Sequence, residues 1–191
     1  MSEWYDIFNF SIISAALMLT LLGMWFAAIL PVLDRWSRRF FLSYFAVLML
    51  CSLVSLADMI LYRYVGVKVM VFFGFLETLL LSAPMPMLTV YLLHCCKEDI
   101  KKSAFLRVVN AFWTAFFIIL VSTLFTKHIY YITPDEQFYR GEWFPILMVP
   151  LSAIMILNLA YLIRRKGLLS RKYYFGFLTA ILPLTVTLLV H

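Results

Sequence analysis

Six apolar runs, each about 20 residues long as a helix needs in order to cross the hydrocarbon of a bilayer, constrain this chain more than any other feature. They extend over residues 10–33, 40–62, 69–94, 104–125, 143–163 and 173–190. A backbone in lipid must satisfy its N–H and C=O groups within its own segment, so helix is the state expected for runs of this length. The expected fold is all-α: a polytopic membrane helix bundle with six transmembrane helices, forming one membrane domain over residues 1–191. Composition points the same way. The chain is 64% hydrophobic and 14% charged, whereas a soluble domain is roughly half apolar and a quarter charged. The first run follows Glu3 and Asp6 rather than a basic stretch and is too long for the core of a signal peptide, so it is read as a retained helix.

The basic residues set an expected orientation. The loop after the first run holds Arg35, Arg38 and Arg39. The loop after the third holds Lys97, Lys101, Lys102 and Arg107, and that after the fifth holds Arg164, Arg165, Lys166, Arg171 and Lys172. Of the 16 Lys and Arg, only Arg63, Lys68, Lys127 and Arg140 fall on the other side. The bias alternates across every span, which places the basic loops in the cytoplasm and the N-terminus outside. A net charge of +6 would suggest nucleic acid in a soluble protein. In short loops between apolar runs it is explained by topology and anionic lipid instead, and no nucleic-acid partner is expected.

Charges within a span are costly and are either functional or paired. Asp58 follows Ser52 and Ser55 at three-residue steps, with Tyr62 four residues on, which makes a polar stripe on the second helix. Glu77 lies in the outer third of the third helix, and an antiparallel neighbour would bring it to the depth of Asp58. Two arrangements satisfy these residues. Asp58 and Glu77, with Arg63, Arg140 and the aromatic outer loop around Tyr139, would line an outward-facing pocket that senses a ligand. Alternatively, Asp58 and Glu77 pair with Arg63, Lys68 or backbone groups and lock the bundle. Pro84 and Pro86 remove two backbone donors and bend the third helix, as a hinge or as a fixed kink. Asn110 and Asn158 are expected to hydrogen-bond between helices.

Other constellations carry less. His94-Cys95-Cys96 resembles a metal cluster, but consecutive helical residues point in different directions and no second ligand set has the spacing, so no metal is expected. Three cysteines in or beside apolar runs do not make a disulfide framework. The chain has no glycine-rich phosphate loop, Ser-His-Asp set or paired-His motif, so neither an enzyme nor a cofactor is expected.

Three stretches carry a resemblance: FLETLLLSAPMPMLTVYLLHCCKEDIKKS over 75–103, YYITPDEQFYRGEWFPIL over 130–147 and NLAYLIRRKGLLSRKYYFGFLTAILP over 158–183. They resemble the N-terminal multi-helix sensor region of bacterial membrane receptors, mainly sensor histidine kinases of clostridial type and relatives carrying diguanylate cyclase domains. The match covers Glu77, Pro84, Pro86 and Arg140-Gly141, while Glu142 stands where that family often has Pro. The resemblance implies a bacterial plasma-membrane sensor for an extracytoplasmic small-molecule or membrane signal. It also implies a seventh helix and a cytoplasmic kinase or cyclase domain in cis, beyond His191, and a homodimer where a kinase follows.

The main rival reading is a small membrane transporter or substrate-capture subunit. Moving contacts in such folds favour Gly and Ala faces, whereas this chain has six Gly and bulky Leu- and Phe-rich helices. An integral-membrane enzyme is disfavoured because His94 falls on one side and His128 and His191 on the other.

Overall fold

A computed structural model describes residues 2–31, 33–61, 67–123, 125, 130–132, 138–140 and 144–190. The described elements are α1 (Ser2–Ile29), α2 (Arg35–Leu61), α3 (Val67–Ser82), α4 (Pro84–Cys95) and α5 (Ala104–Ser122), followed by β1 (Tyr130–Ile132), β2 (Phe138–Arg140), α6 (Phe144–Arg164) and α7 (Arg171–Val190). Five helical stretches are long and apolar enough to cross a membrane: Ile7–Ile29, Arg35–Leu61, Val71–Cys95, Ala104–Ser122 and Pro145–Arg164. The chain is thus a helical, multi-pass membrane protein. It divides into two compact units, Met1–Pro84 and Met85–His191.

In the first unit α1 packs on α2 and α2 on α3, as short connections between helices dictate. The helix ends follow from particular residues. The first helix, predicted to reach Leu33, stops at Ile29 because Pro31 cannot donate a backbone hydrogen bond and disfavours helical geometry just before it. The second, predicted from Phe40, begins at Arg35. Asp34 caps it, its Oδ2 accepting from the Trp36 and Ser37 amides at 3.1 and 3.2 Å. Arg38 Nη2 donates back to the Leu30 carbonyl at 3.2 Å, which satisfies the end of α1 and places a cation at the negative end of its dipole.

Where one bent helix is predicted over 69–94, the structure holds two, α3 and α4, separated by a turn at Ala83. The ring of Pro84 pushes the preceding residue out of helical geometry. Pro84 then occupies the first position of α4 and Pro86 the third, where an amide has no intrahelical acceptor in any case.

The second unit is built around α6, the most buried of the five spanning stretches, which packs on α5 and α7. Its core includes Leu92 and Leu93 of α4, Phe116 of α5, Ile154 and Leu162 of α6 and Ile181 of α7, all fully buried. Tyr91 meets Phe177 at 5.5 Å between ring centroids, tying α4 to α7. Phe105 stacks on Tyr161 at 4.2 Å, tying the start of α5 to the end of α6.

Around Tyr139, where the sequence predicts an aromatic loop, β1 and β2 pair antiparallel, with Tyr130 opposite Arg140, Tyr131 opposite Tyr139 and Ile132 opposite Phe138. The signal for this was present in the sequence. Aromatic and β-branched residues favour strands, and the five-residue connection contains the Pro134-Asp135 turn pair.

Candidate functional site

The α2–α3 seam of the first unit gathers the polar groups of its spans. The stripe of small polar residues on α2 meets α3 at Glu77. Ser55 donates its hydroxyl to Glu77 Oε1 and lies 3.1 Å from the Cys51 carbonyl one turn back. The buried Cys51 thiol approaches the Glu77 backbone carbonyl at 3.9 Å. Ser52 turns its hydroxyl onto its own helix, donating to the Leu48 carbonyl at 3.1 Å, so of the two serines only Ser55 reaches across.

Asp58 lies one turn beyond Ser55, close enough to Glu77 for their charges to interact. Its Oδ1 is shielded and has no hydrogen-bond partner among the described residues. The seam therefore holds two half-buried carboxylates with one hydroxyl donor between the helices. Such a site attracts a cation or a hydrogen-bond donor, because two like charges in an apolar span need a counter-charge or a proton.

Arg63 lies outside the described residues. Tyr139 and Arg140 stand in β2, opposite Tyr131 and Tyr130 respectively; that strand belongs to the second unit. Pro84 and Pro86 open α4 immediately after the Ala83 break.

Sequence reasoning anticipated a bonded Asn158 but not its partner. Asn158 on α6 is fully buried, and its Oδ1 accepts from Thr89 Oγ1 of α4 at 2.8 Å. Its Nδ2 lies 3.5 Å from the Met85 carbonyl. Asn110, by contrast, is exposed on α5, and its carbonyl takes the Thr114 hydroxyl at 2.8 Å within the same helix.

At the basic edge of the second unit the chain makes an ion pair that the sequence did not reveal. Glu98 Oε1 lies 2.6 Å from Arg165 Nη2. The helix end positions it: the Glu98 amide donates to the Leu93 carbonyl at 3.1 Å and the Lys97 amide to the His94 carbonyl at 3.0 Å, with Lys97 at φ 57°. This is a Schellman cap with lysine in the left-handed position that glycine usually fills. The Cys96 thiol beside it is pushed above its usual range, first by burial and then by the Glu98 charge, with Arg165 partly offsetting both. Among the described residues, no three His, Cys, Asp or Glu side chains come together as metal ligands.

No protein family, curated protein or solved structure matches this chain.

Proposed function

We propose that this chain is the sensory module of a bacterial plasma-membrane receptor. It binds an extracytoplasmic or membrane signal at the α2–α3 seam and relays it to a cytoplasmic kinase or cyclase domain in the same polypeptide. In this reading α7, 20 residues long, is a sixth span, the N-terminus lies outside and the basic loops face the cytoplasm.

One observation carries the reading. Glu77, held by Ser55 in the α2–α3 seam, sits six residues before the Ala83 break. A ligand that takes the carboxylate away from Ser55 changes the α2–α3 contact on the helix that leads to that break. A ligand shifts a conformational equilibrium only through such a differential contact. Asp58 supplies a second carboxylate to the same seam.

The test is signal-dependent output of the natural full-length product, read as kinase autophosphorylation or cyclic-dinucleotide synthesis in its host. Glu77→Ala abolishes the response while the amount of protein in the membrane stays at the wild-type level. An unchanged response at normal expression removes Glu77 from the site. Substrate accumulation in proteoliposomes, lost in Asp58→Asn and Glu77→Gln, would instead establish the transport reading.

A further inference from the structure

The ion pair between Glu98 and Arg165 fastens the α4–α5 loop to the α6–α7 loop. Segments 97–107 and 164–171 together carry eight basic and two acidic residues. Both acids are already engaged: Glu98 by Arg165, and Asp99 by the Lys101 amide, which its Oδ1 accepts at 3.0 Å. Lys97, Lys101, Lys102, Arg107, Arg164 and Lys166 are all exposed. Among the described residues no carboxylate pairs with any of them.

Orientation in the membrane explains how many basic residues these loops hold, since it depends on their number near the span ends. It does not explain their positions, and three of those positions are unfavourable. Lys97 adopts the left-handed conformation at φ 57°, which costs a side-chain-bearing residue about 1 kcal/mol relative to glycine. Arg107 lies in the first turn of α5 and Arg171 opens α7, and neither first turn holds an acid. A cation there opposes the positive end of the helix dipole, where an anion is favoured. Positive side chains thus converge on one edge of the unit, where α5 and α7 begin and α4 and α6 end, at the polar limit of the apolar spans, which is the depth of lipid phosphates.

We infer that this edge is a binding surface for an anionic phospholipid with two phosphates in its headgroup, one held by each of the two joined loops. A two-phosphate headgroup matches two fastened basic segments, and an arginine or lysine beside a lipid phosphate gains more than a single surface charge does in water. The inference goes beyond the sensor reading, and its outcome does not depend on what the chain senses.

The full chain is reconstituted in nanodiscs of phosphatidylcholine with a minor fraction of either phosphatidylglycerol or diphosphatidylglycerol. Lipids retained after mild detergent extraction are counted by native mass spectrometry. Diphosphatidylglycerol is retained over both other lipids, and retention weakens as salt rises. Lys101→Gln/Lys102→Gln on one loop and Arg164→Gln/Lys166→Gln on the other each reduce that retention, by about fivefold per charge removed. Lys97→Gly separates a lipid role from a structural one: it raises the thermal midpoint by relieving the backbone while lowering lipid retention. Three results each overturn the inference: equal retention of all three lipids, retention unchanged in both double variants, or Lys97→Gly that stabilises without loss of lipid. Preference for phosphatidylglycerol equal to that for the two-phosphate lipid overturns the two-loop bridge.

Discussion

Ser55 on α2 donates its hydroxyl to the carboxylate of Glu77 on α3, so the acid embedded in the third apolar run is held by a neighbouring helix. That contact fixes the rotation of α3 against α2, because a hydrogen bond between membrane spans has few alternatives. Among the described residues the Ser55 hydroxyl is the side-chain donor to that carboxylate, beside Asp58, which shares its field.

Removing the donor tests this. Ser55→Ala lowers stability in detergent by about 0.6–2 kcal/mol, the range for hydrogen bonds between membrane helices. In a double-mutant cycle with Glu77→Ala the two losses are less than additive, because both variants remove the same contact. Denaturant titration of the full chain followed by tryptophan fluorescence gives both values. Strict additivity would mean that the two side chains do not interact in the membrane-embedded state.

The buried Thr89–Asn158 bond joins α4 to α6 in the core of the second unit. Asn158→Ala leaves the Thr89 hydroxyl with only the Met85 carbonyl at 3.4 Å and opens space, costing about 1–3 kcal/mol. Asn158→Leu combined with Thr89→Val replaces both partners by apolar groups of similar size and recovers part of that loss. A double variant weaker than either single one would contradict this.

How much of this was legible beforehand can be seen residue by residue. Five of the six apolar runs correspond to helices long and apolar enough to cross a membrane among the described residues, because length and hydrophobicity alone decide them. Their ends were less legible. Arg35, Arg38 and Arg39 read as loop, yet they lie within the first five residues of α2, since Asp34 caps the helix and long basic side chains reach the polar boundary from inside a helix. The Ser52–Ser55–Asp58 stripe was visible from spacing, and so was Glu77 as its counterpart. The selection of Ser55 over Ser52 was not, because it depends on how α2 is rotated against α3. The Glu98–Arg165 pair was hidden because a helix cap with lysine in the glycine position carries no sequence signal of its own.

Gly23 on α1 packs closely against the Phe45 ring of α2. A Cβ added there would lie 2.5 Å from the Phe45 ring of α2, and small residues at such crossings let helix backbones approach. Gly23→Ala forces the ring aside and destabilises the chain by about 1–3 kcal/mol. Phe45→Leu, which vacates the ring edge, restores most of the loss when combined with Gly23→Ala. Rescue is read from thermal unfolding in detergent, and a Gly23→Ala variant as stable as the parent would place the α1–α2 crossing elsewhere.

The Cys96 thiol gives a pH dependence with a definite sign. Burial and the nearby Glu98 charge raise its pKa in the folded chain, while Arg165 acts in the opposite direction. A thiol raised in the folded state contributes stability that is fully present below the unfolded value, about 8.5, and is lost as pH rises through the folded value. Cys96 therefore adds no pH dependence to stability through neutral pH and a loss in the alkaline range, and Cys96→Ser flattens that part of the alkaline decline. Alkylation reports the same balance from the other side. The thiolate is the reacting form, so Cys96 reacts with iodoacetamide at pH 8 more slowly than a free thiol. Glu98→Gln removes the repelling charge and leaves Arg165 beside the thiol, so the reaction at Cys96, followed by peptide mass mapping, accelerates. Slower alkylation in Glu98→Gln would show that access through the loop, rather than the charge pair, governs this cysteine.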